Sequence, residues 1–161
     1  MSRRVSIPIK KMKALAAKGN VEMQFTLASH YARGDGVPKD LKEVARYCKL
    51  AADQGHGRAQ NTLAHCYKQG RGVPQDVKEA ARYFKLAADQ GHPEAQVHFG
   101  HLHYEGGGVS QDLKKAARYF KLSADRGHPK PQFNLGLCYA RGDGVSQDLK
   151  EAARYFKLAA D

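Results

Sequence analysis

Eight histidines and three cysteines are the residues of this 161-residue chain whose types are best suited to chemistry. His98, His101 and His103 stand close to Glu105. His101 and Glu105 are one helical turn apart, a spacing at which two side chains can share an ion. The set is incomplete, because His98 and His101 share a helical face only loosely and no carboxylate-rich partner completes the four ligands zinc prefers. No resident metal is expected, and nothing in the sequence calls for another cofactor. Cys48, Cys66 and Cys138 are odd in number and show no CxxC spacing, so they are expected to be reduced core residues. No Ser or Cys sits in a nucleophile motif, and no acidic pair stands apart from a repeated Asp and Glu. The expectation is that the protein is not an enzyme.

Two further features carry chemistry only at first sight. The glycine pairs in GDGVPKD, GRGVPQD, GGGVSQD and GDGVSQD suggest phosphate loops, but no strand precedes them and no Gly-Lys-Ser/Thr ending follows. They are expected to permit positive φ, with the Val anchoring each loop to the core. Lys and Arg number 27 against 16 Asp and Glu, and Arg3, Arg4, Lys10, Lys11 and Lys13 come before any acid. Lys42, Arg46 and Lys49, with equivalents downstream, form a basic stripe that nucleic acid could track. Glu43, Asp53 and their equivalents interleave that stripe and no aromatic platform accompanies it, so nucleic acid is the lesser reading.

These residues are positioned by repetition. Gln24, Gln60, Gln96 and Gln132 fall 36 residues apart, as do Val37, Val73, Val109 and Val145, and Arg46, Arg82, Arg118 and Arg154. A fixed period of this size means stacked supersecondary units, each completing its neighbour's core. The second segment of each unit reads DLKEVARYCKLAAD, DVKEAARYFKLAAD, DLKKAARYFKLSAD and DLKEAARYFKLAAD. Its apolar positions follow the i, i+3, i+4, i+7 rule of an amphipathic helix, called B here. Asp40, Asp76 and Asp148 are expected N-caps, with Glu43, Glu79 and Glu151 completing a capping box that Lys115 breaks in copy three. Gly55, Gly91 and Gly127 close helix B. His56, His92 and His128 follow them and are expected to serve turn hydrogen bonding. Helix A runs approximately from Glu22 to Arg33 and recurs downstream, with small Ala28, Ala64, Gly100 and Gly136 allowing close helix approach.

Ala-Gln, Leu-Gly, Tyr, Gly-x-Gly-Val, Asp, Ala, an aromatic pair, Ala-Ala and Gly recur in this order. Copy three, AQVHFGHLHYEGGGVSQDLKKAARYFKLSADRGH, closely resembles the Sel-one-like repeat, a relative of the tetratricopeptide repeat. Tyr47, Tyr83, Tyr119 and Tyr155 stand where that family often has Trp, His103 replaces the helix A Tyr, and Pro131 replaces an Ala. The fold class expected is all-α, a right-handed α-solenoid of four helix-loop-helix repeats forming a tetratricopeptide-like superhelix. Residues 1–19 would be a basic segment with room for a half-repeat helix around Ile9 to Lys18, and residues 20–161 the solenoid. The repeats are bounded approximately at 20–55, 56–91, 92–127 and 128–161. Its last copy ends in helix B at Asp161 without a polar capping helix, as a fragment or a chain with a pairing end would.

The resemblance implies that the A helices line a concave surface. Helix B barely changes between copies, whereas the outward positions of helix A differ in each, a pattern that suggests recognition of a protein or peptide. The expected face presents Phe25, Ser29 and Arg33, then Asn61, His65 and Lys68, then Val97, His101, Tyr104 and Glu105, then Phe133, Leu137 and Arg141. Phe25, Tyr104 and Phe133 are the expected anchors. The function expected is a non-catalytic adaptor or scaffold, the alternative being nucleic acid or an acidic surface on the basic helix B face. Some relatives were proposed to bind β-lactam-like compounds, which leaves a β-lactam-binding or hydrolysing repeat protein as a remote alternative. Pro8, Lys10, Lys11 and Lys13 interrupt the one candidate signal peptide, and no segment approaches a membrane span. A mitochondrial presequence fits less well than a plain start, for want of Ser. Secreted relatives carry a disulfide near the places of Ala52 and Ala59, and no Cys stands there. Cys66 and Cys138, two repeats apart, are too distant to bridge. An intracellular, cytoplasmic protein is expected.

Overall fold

A computed structural model describes residues 7–161, so Arg3 and Arg4 of the basic segment lie outside the described residues. Among the described residues the chain is helical, with turns and loops between helices and no strand. It divides into two compact units, Met1–Asp76 and Val77–Asp161. The first holds α1 (Ile9–Ala17), α2 (Val21–Arg33), α3 (Leu41–Asp53) and α4 (Gly57–Gln69). The second holds α5 (Val77–Asp89), α6 (Pro93–Glu105), α7 (Leu113–Ala124), α8 (Pro129–Arg141) and α9 (Leu149–Ala160). Within each unit every helix packs on its sequence neighbours, the arrangement of an all-α repeat fold. α2, α4, α6 and α8 are A helices; α3, α5, α7 and α9 are B helices.

The period-36 glutamine explains how A is held to the B helix before it. Gln24 Nε2 donates to Ala16 O (3.1 Å), Gln60 to Ala52 O (3.2 Å), Gln96 to Ala88 O (3.2 Å) and Gln132 to Ala124 O (3.3 Å). All four glutamines are buried. The acceptors are carbonyls of the final helical turn, and each also accepts from the N–H of the glycine three residues on, so the glutamine amide takes the second lone pair. α1 takes part like a B helix: it buries Met12 and Ala16 at the places of Cys48 and Ala52, and Gly19 follows it at φ 89°, as Gly55 follows α3.

Local capping differs from the expected box. Asp40 accepts from Lys42 N and Glu43 N, Asp112 from Lys115 N, and Asp148 from Lys150 N and Glu151 N. The reciprocal bond is missing because Glu43 and Glu151 turn to Arg46 and Arg154, three residues on in the same helix. The Asp40 and Asp148 N–H groups instead donate to Tyr31 O and Tyr139 O at the end of the preceding A helix. His56 caps α4 by accepting from Ala59 N (3.1 Å), but His92 and His128 make no side-chain cap bond. The proline at the start of α6 and of α8 has its φ preset for the helix instead.

Packing density decides the small residues. A Cβ on Gly100 would lie 2.7 Å from the Phe120 ring, and one on Gly136 would lie 2.7 Å from the Phe156 ring. In the first repeat the same two places hold Ala28 and Cys48, so a larger residue on A accompanies a smaller one on B. The second loop glycine seams adjacent repeats: a Cβ on Gly72 would collide with Leu41 O, and one on Gly144 with Leu113 O. Both have positive φ, 75° and 73°. Gly127 also has positive φ, 85°, but open space around it.

Gly144→Ala should therefore destabilise by about 3 kcal/mol or more, adding backbone clash to the left-handed penalty. Gly127→Ala should lose only about 1–2 kcal/mol. Urea unfolding midpoints of the two variants check the difference, and equal losses would remove the seam argument.

Candidate functional site

On the A helices of the first unit, Phe25, Ser29, Asn61, His65 and Lys68 are half-buried and Arg33 is exposed. The Phe25 ring centroid lies 4.6 Å from that of His56, and the Arg58 guanidinium sits 5.1 Å above its face. Ser29 Oγ donates to Phe25 O, and Arg33 Nε pairs with Asp35 (3.2 Å). Phe25 is thus half-buried and held among its neighbours.

In the second unit the predicted residues gather into two adjoining hollows that share His101 and Asn134. Val97, His101 and Phe133 line a cavity of about 550 Å3, joined there by Lys130, Asn134 and Phe156. His101, Tyr104, Glu105, Leu137 and Arg141 line one of about 240 Å3, with Phe120 and Asn134. Phe133 is 50% exposed, with its ring 5.5 Å from that of Phe156. Asn134 Nδ2 lies 3.1 Å from His101 Nε2, within hydrogen-bond distance. Lys130 and Asn134 escaped the sequence reading although they flank Phe133 at i−3 and i+1 on α8. The alternation of exposed and packed residues along α8 was the signal available for them.

Tyr104 differs from the exposed anchor expected of it. Its hydroxyl donates to Asp143 (2.7 Å) and accepts from Arg141 (3.2 Å), two groups on and just after α8. The Asp143 bond holds the phenol above its ordinary range. Tyr104 is therefore half-buried and braces α6 to the end of α8.

The three candidate histidine ligands take separate partners, and Glu105 stands apart from them in solvent. His98 lies 3.8 Å from Glu94 and stacks on Phe84, and His101 meets Asn134. His103 is buried with Nδ1 3.1 Å from Ser110 O, and Glu105 is exposed. Half of the twelve stripe cations are neutralised from within their own helices. Arg46, Arg82 and Arg154 pair with Glu43, Glu79 and Glu151 at 2.8, 2.9 and 2.7 Å. Lys49, Lys85 and Lys121 pair with Asp53, Asp89 and Asp125 at 2.8, 2.5 and 2.8 Å.

A family model described as Sel1 repeat matches residues 21–56, 57–92, 93–128 and 132–161. Among solved structures, a protective antigen present in uropathogenic Escherichia coli strains, displaying an SLR fold, is 34% identical with a TM-score of 0.89. The match covers 96% of this chain and 33% of that one, so this chain spans about a third of the antigen's length. A Sel1 repeat protein from Oxalobacter formigenes is 29% identical with a TM-score of 0.85, over 94% of this chain and 65% of its own. Helicobacter pylori cysteine rich protein B, 20% identical with a TM-score of 0.58 over 78% of this chain and 96% of its own, shares the fold alone. No curated protein matches the chain. Among the described residues no helix is long and apolar enough to cross a membrane.

The three cysteines are free and buried. Burial pushes the Cys48 thiol up to about 12 and the Cys138 thiol up to about 11, and raises Cys66 as well. Thiols so protonated at neutral pH are poor nucleophiles. In the folded protein at pH 8, all three should react with a disulfide reagent at least about a hundredfold more slowly than in urea. A stopped-flow absorbance trace measures this, and a fast native phase would mean that one thiol is open to solvent.

Proposed function

The chain belongs to the Sel1 repeat family, whose members are generally protein-interaction modules and non-catalytic scaffolds, and from that premise we propose that it is an adaptor binding a protein or peptide on the outward face of its A helices. The observation that carries the reading is the hollow around Phe133: a half-exposed aromatic ring, an apolar wall from Val97 and Phe156, and polar groups from Lys130, His101 and Asn134. An aromatic anchor with a few placed polar groups is the usual composition of a binding hot spot. Variation between copies concentrates on the same helices, whereas the B helices repeat nearly unchanged. A frame held constant with one face varied suits recognition.

Taken by itself, the first unit offers a surface of the same kind on its A helices, with Phe25, Ser29, Arg33, Asn61, His65 and Lys68. Nucleic acid on the basic B face is the weaker reading, because six of the twelve stripe cations are paired with carboxylates of their own helix and the stripe carries interleaved acids, which reduces the charge available to displace counterions. The remote β-lactam reading gains no group from the thiols, which burial keeps protonated.

Phe133→Ala should weaken the partner by roughly 2 kcal/mol, about thirtyfold in affinity. Half of that side chain is already in water, so helicity and melting temperature should change little. The measurement is affinity capture from nuclease-treated source-cell lysate with parent and variant, then titration of the retained partner. Retention by the folded variant at parental strength would reject this face, and capture that vanishes with nuclease would move the site to the B helices.

A further inference from the structure

The B helices carry one arrangement with a single departure. A glutamate three residues before each arginine grips its guanidinium and sets it above the following tyrosine ring. Arg46, Arg82 and Arg154 lie 4.1, 4.1 and 4.3 Å from the centroids of Tyr47, Tyr83 and Tyr155. In copy three Lys115 stands in the glutamate's place. Arg118 loses its carboxylate and drifts to 5.9 Å from the Tyr119 ring, and Lys115 reaches only Asp112, at 3.7 Å.

The departure coincides with a hollow. Lys115, Arg118 and Tyr119 of α7 face Lys85 and Asp89 of α5 across a cavity of about 550 Å3, floored by α6. Asp89, the one acid lining it, is already taken by Lys85 (2.5 Å) and by the Tyr119 hydroxyl (2.8 Å). Burial would raise its carboxyl, but those two hydrogen bonds outweigh burial and hold it below the usual range, so it stays charged and matched. Lys115 and Arg118 are left with excess positive charge. Gln96 lines the same cavity and is 4% exposed; its Nε2 donates to Ala88 O, but its Oε1 accepts no hydrogen bond. The corresponding atom of Gln24 accepts from Gln54. Thirty residues beyond Gln96 the equivalent of Gln54 is Arg126, which donates to Gly91 O instead.

A cavity with an arginine that lacks the carboxylate its equivalents hold, a lysine only loosely engaged by Asp112, and a buried acceptor in need of an N–H matches an acidic peptide. We propose that this cavity binds an acidic segment of a partner protein, an Asp or Glu carboxylate seating between Lys115 and Arg118 where the chain's own glutamate sits in the other copies, and a backbone N–H of the segment meeting Gln96 Oε1. The site shares no lining residue with the hollow around Phe133 and does not rest on it.

The probe is a fluorescein-labelled peptide of alternating Gly and Glu, with a Gly/Gln peptide as control, followed by anisotropy. The parent should bind the Glu peptide and not the Gln peptide. Arg118→Gln and Lys115→Glu should each weaken binding about tenfold or more, the cost of a lost charged hydrogen bond. Lys115→Glu rebuilds the pair that the other copies carry, so it keeps the fold. Lys150→Glu makes the same charge change outside the cavity and should stay within about twofold. Phe133→Ala should leave the peptide bound, which separates this site from the A-helix face. Lack of binding by the parent, parental binding by Lys115→Glu, or equal loss with Lys150→Glu would each overturn the proposal.

Discussion

One hydrogen bond, made four times, carries the architecture: a buried glutamine amide on each A helix donates to a carbonyl in the last turn of the helix before it. A helix terminus leaves carbonyls without partners, and a buried one without a partner costs stability. Here the closing glycine's N–H meets each carbonyl from its own turn of the chain, and the glutamine adds a second donor from the next helix, which fixes the register of A on B. Apolar packing alone would let one helix slide on another, because alanine-rich faces offer few distinct fits. The amide has one acceptor at one height.

Much of this fold is legible in the sequence, since a period of 36 and an amphipathic period of 3.6 reinforce each other over four copies. What escaped reading is competition between equally plausible partners. Glu43 and Glu151 stand at the capping-box position and also three residues before an arginine; the bidentate charged pair wins, and the N-cap N–H turns to the tyrosine carbonyl of the preceding helix. Tyr104 looked exposed because its partners, Asp143 and Arg141, lie a full repeat later in the chain. Local spacing does not report contacts at that range. The B-helix stripe looked more basic than it is because a count of charges does not show that half of its cations hold a carboxylate of their own helix.

The A and B faces therefore vary by different rules. On A, each copy changes the side chains and keeps the packing, so the polar and aromatic groups around Phe133 differ from those around Phe25. On B, the side chains are locked into a glutamate-arginine-tyrosine stack, and a single exchange at Lys115 releases the arginine and changes the charge of a hollow. A frame this redundant makes small departures consequential, because neighbouring copies keep their own stacks and hold the backbone in place.

The loop glycines that touch the preceding repeat have a consequence for how such a chain can change length. Each seam joins residues at a fixed offset: the glutamine reaches eight residues back, and Gly72 and Gly144 abut Leu41 and Leu113, thirty-one residues back. Inserting one residue within that span puts a carbonyl out of reach of its amide and a side chain where only a glycine fits. Adding or deleting a whole repeat shifts donor and acceptor together and leaves every offset intact. Length in such a chain is quantised, and its natural increment is the repeat.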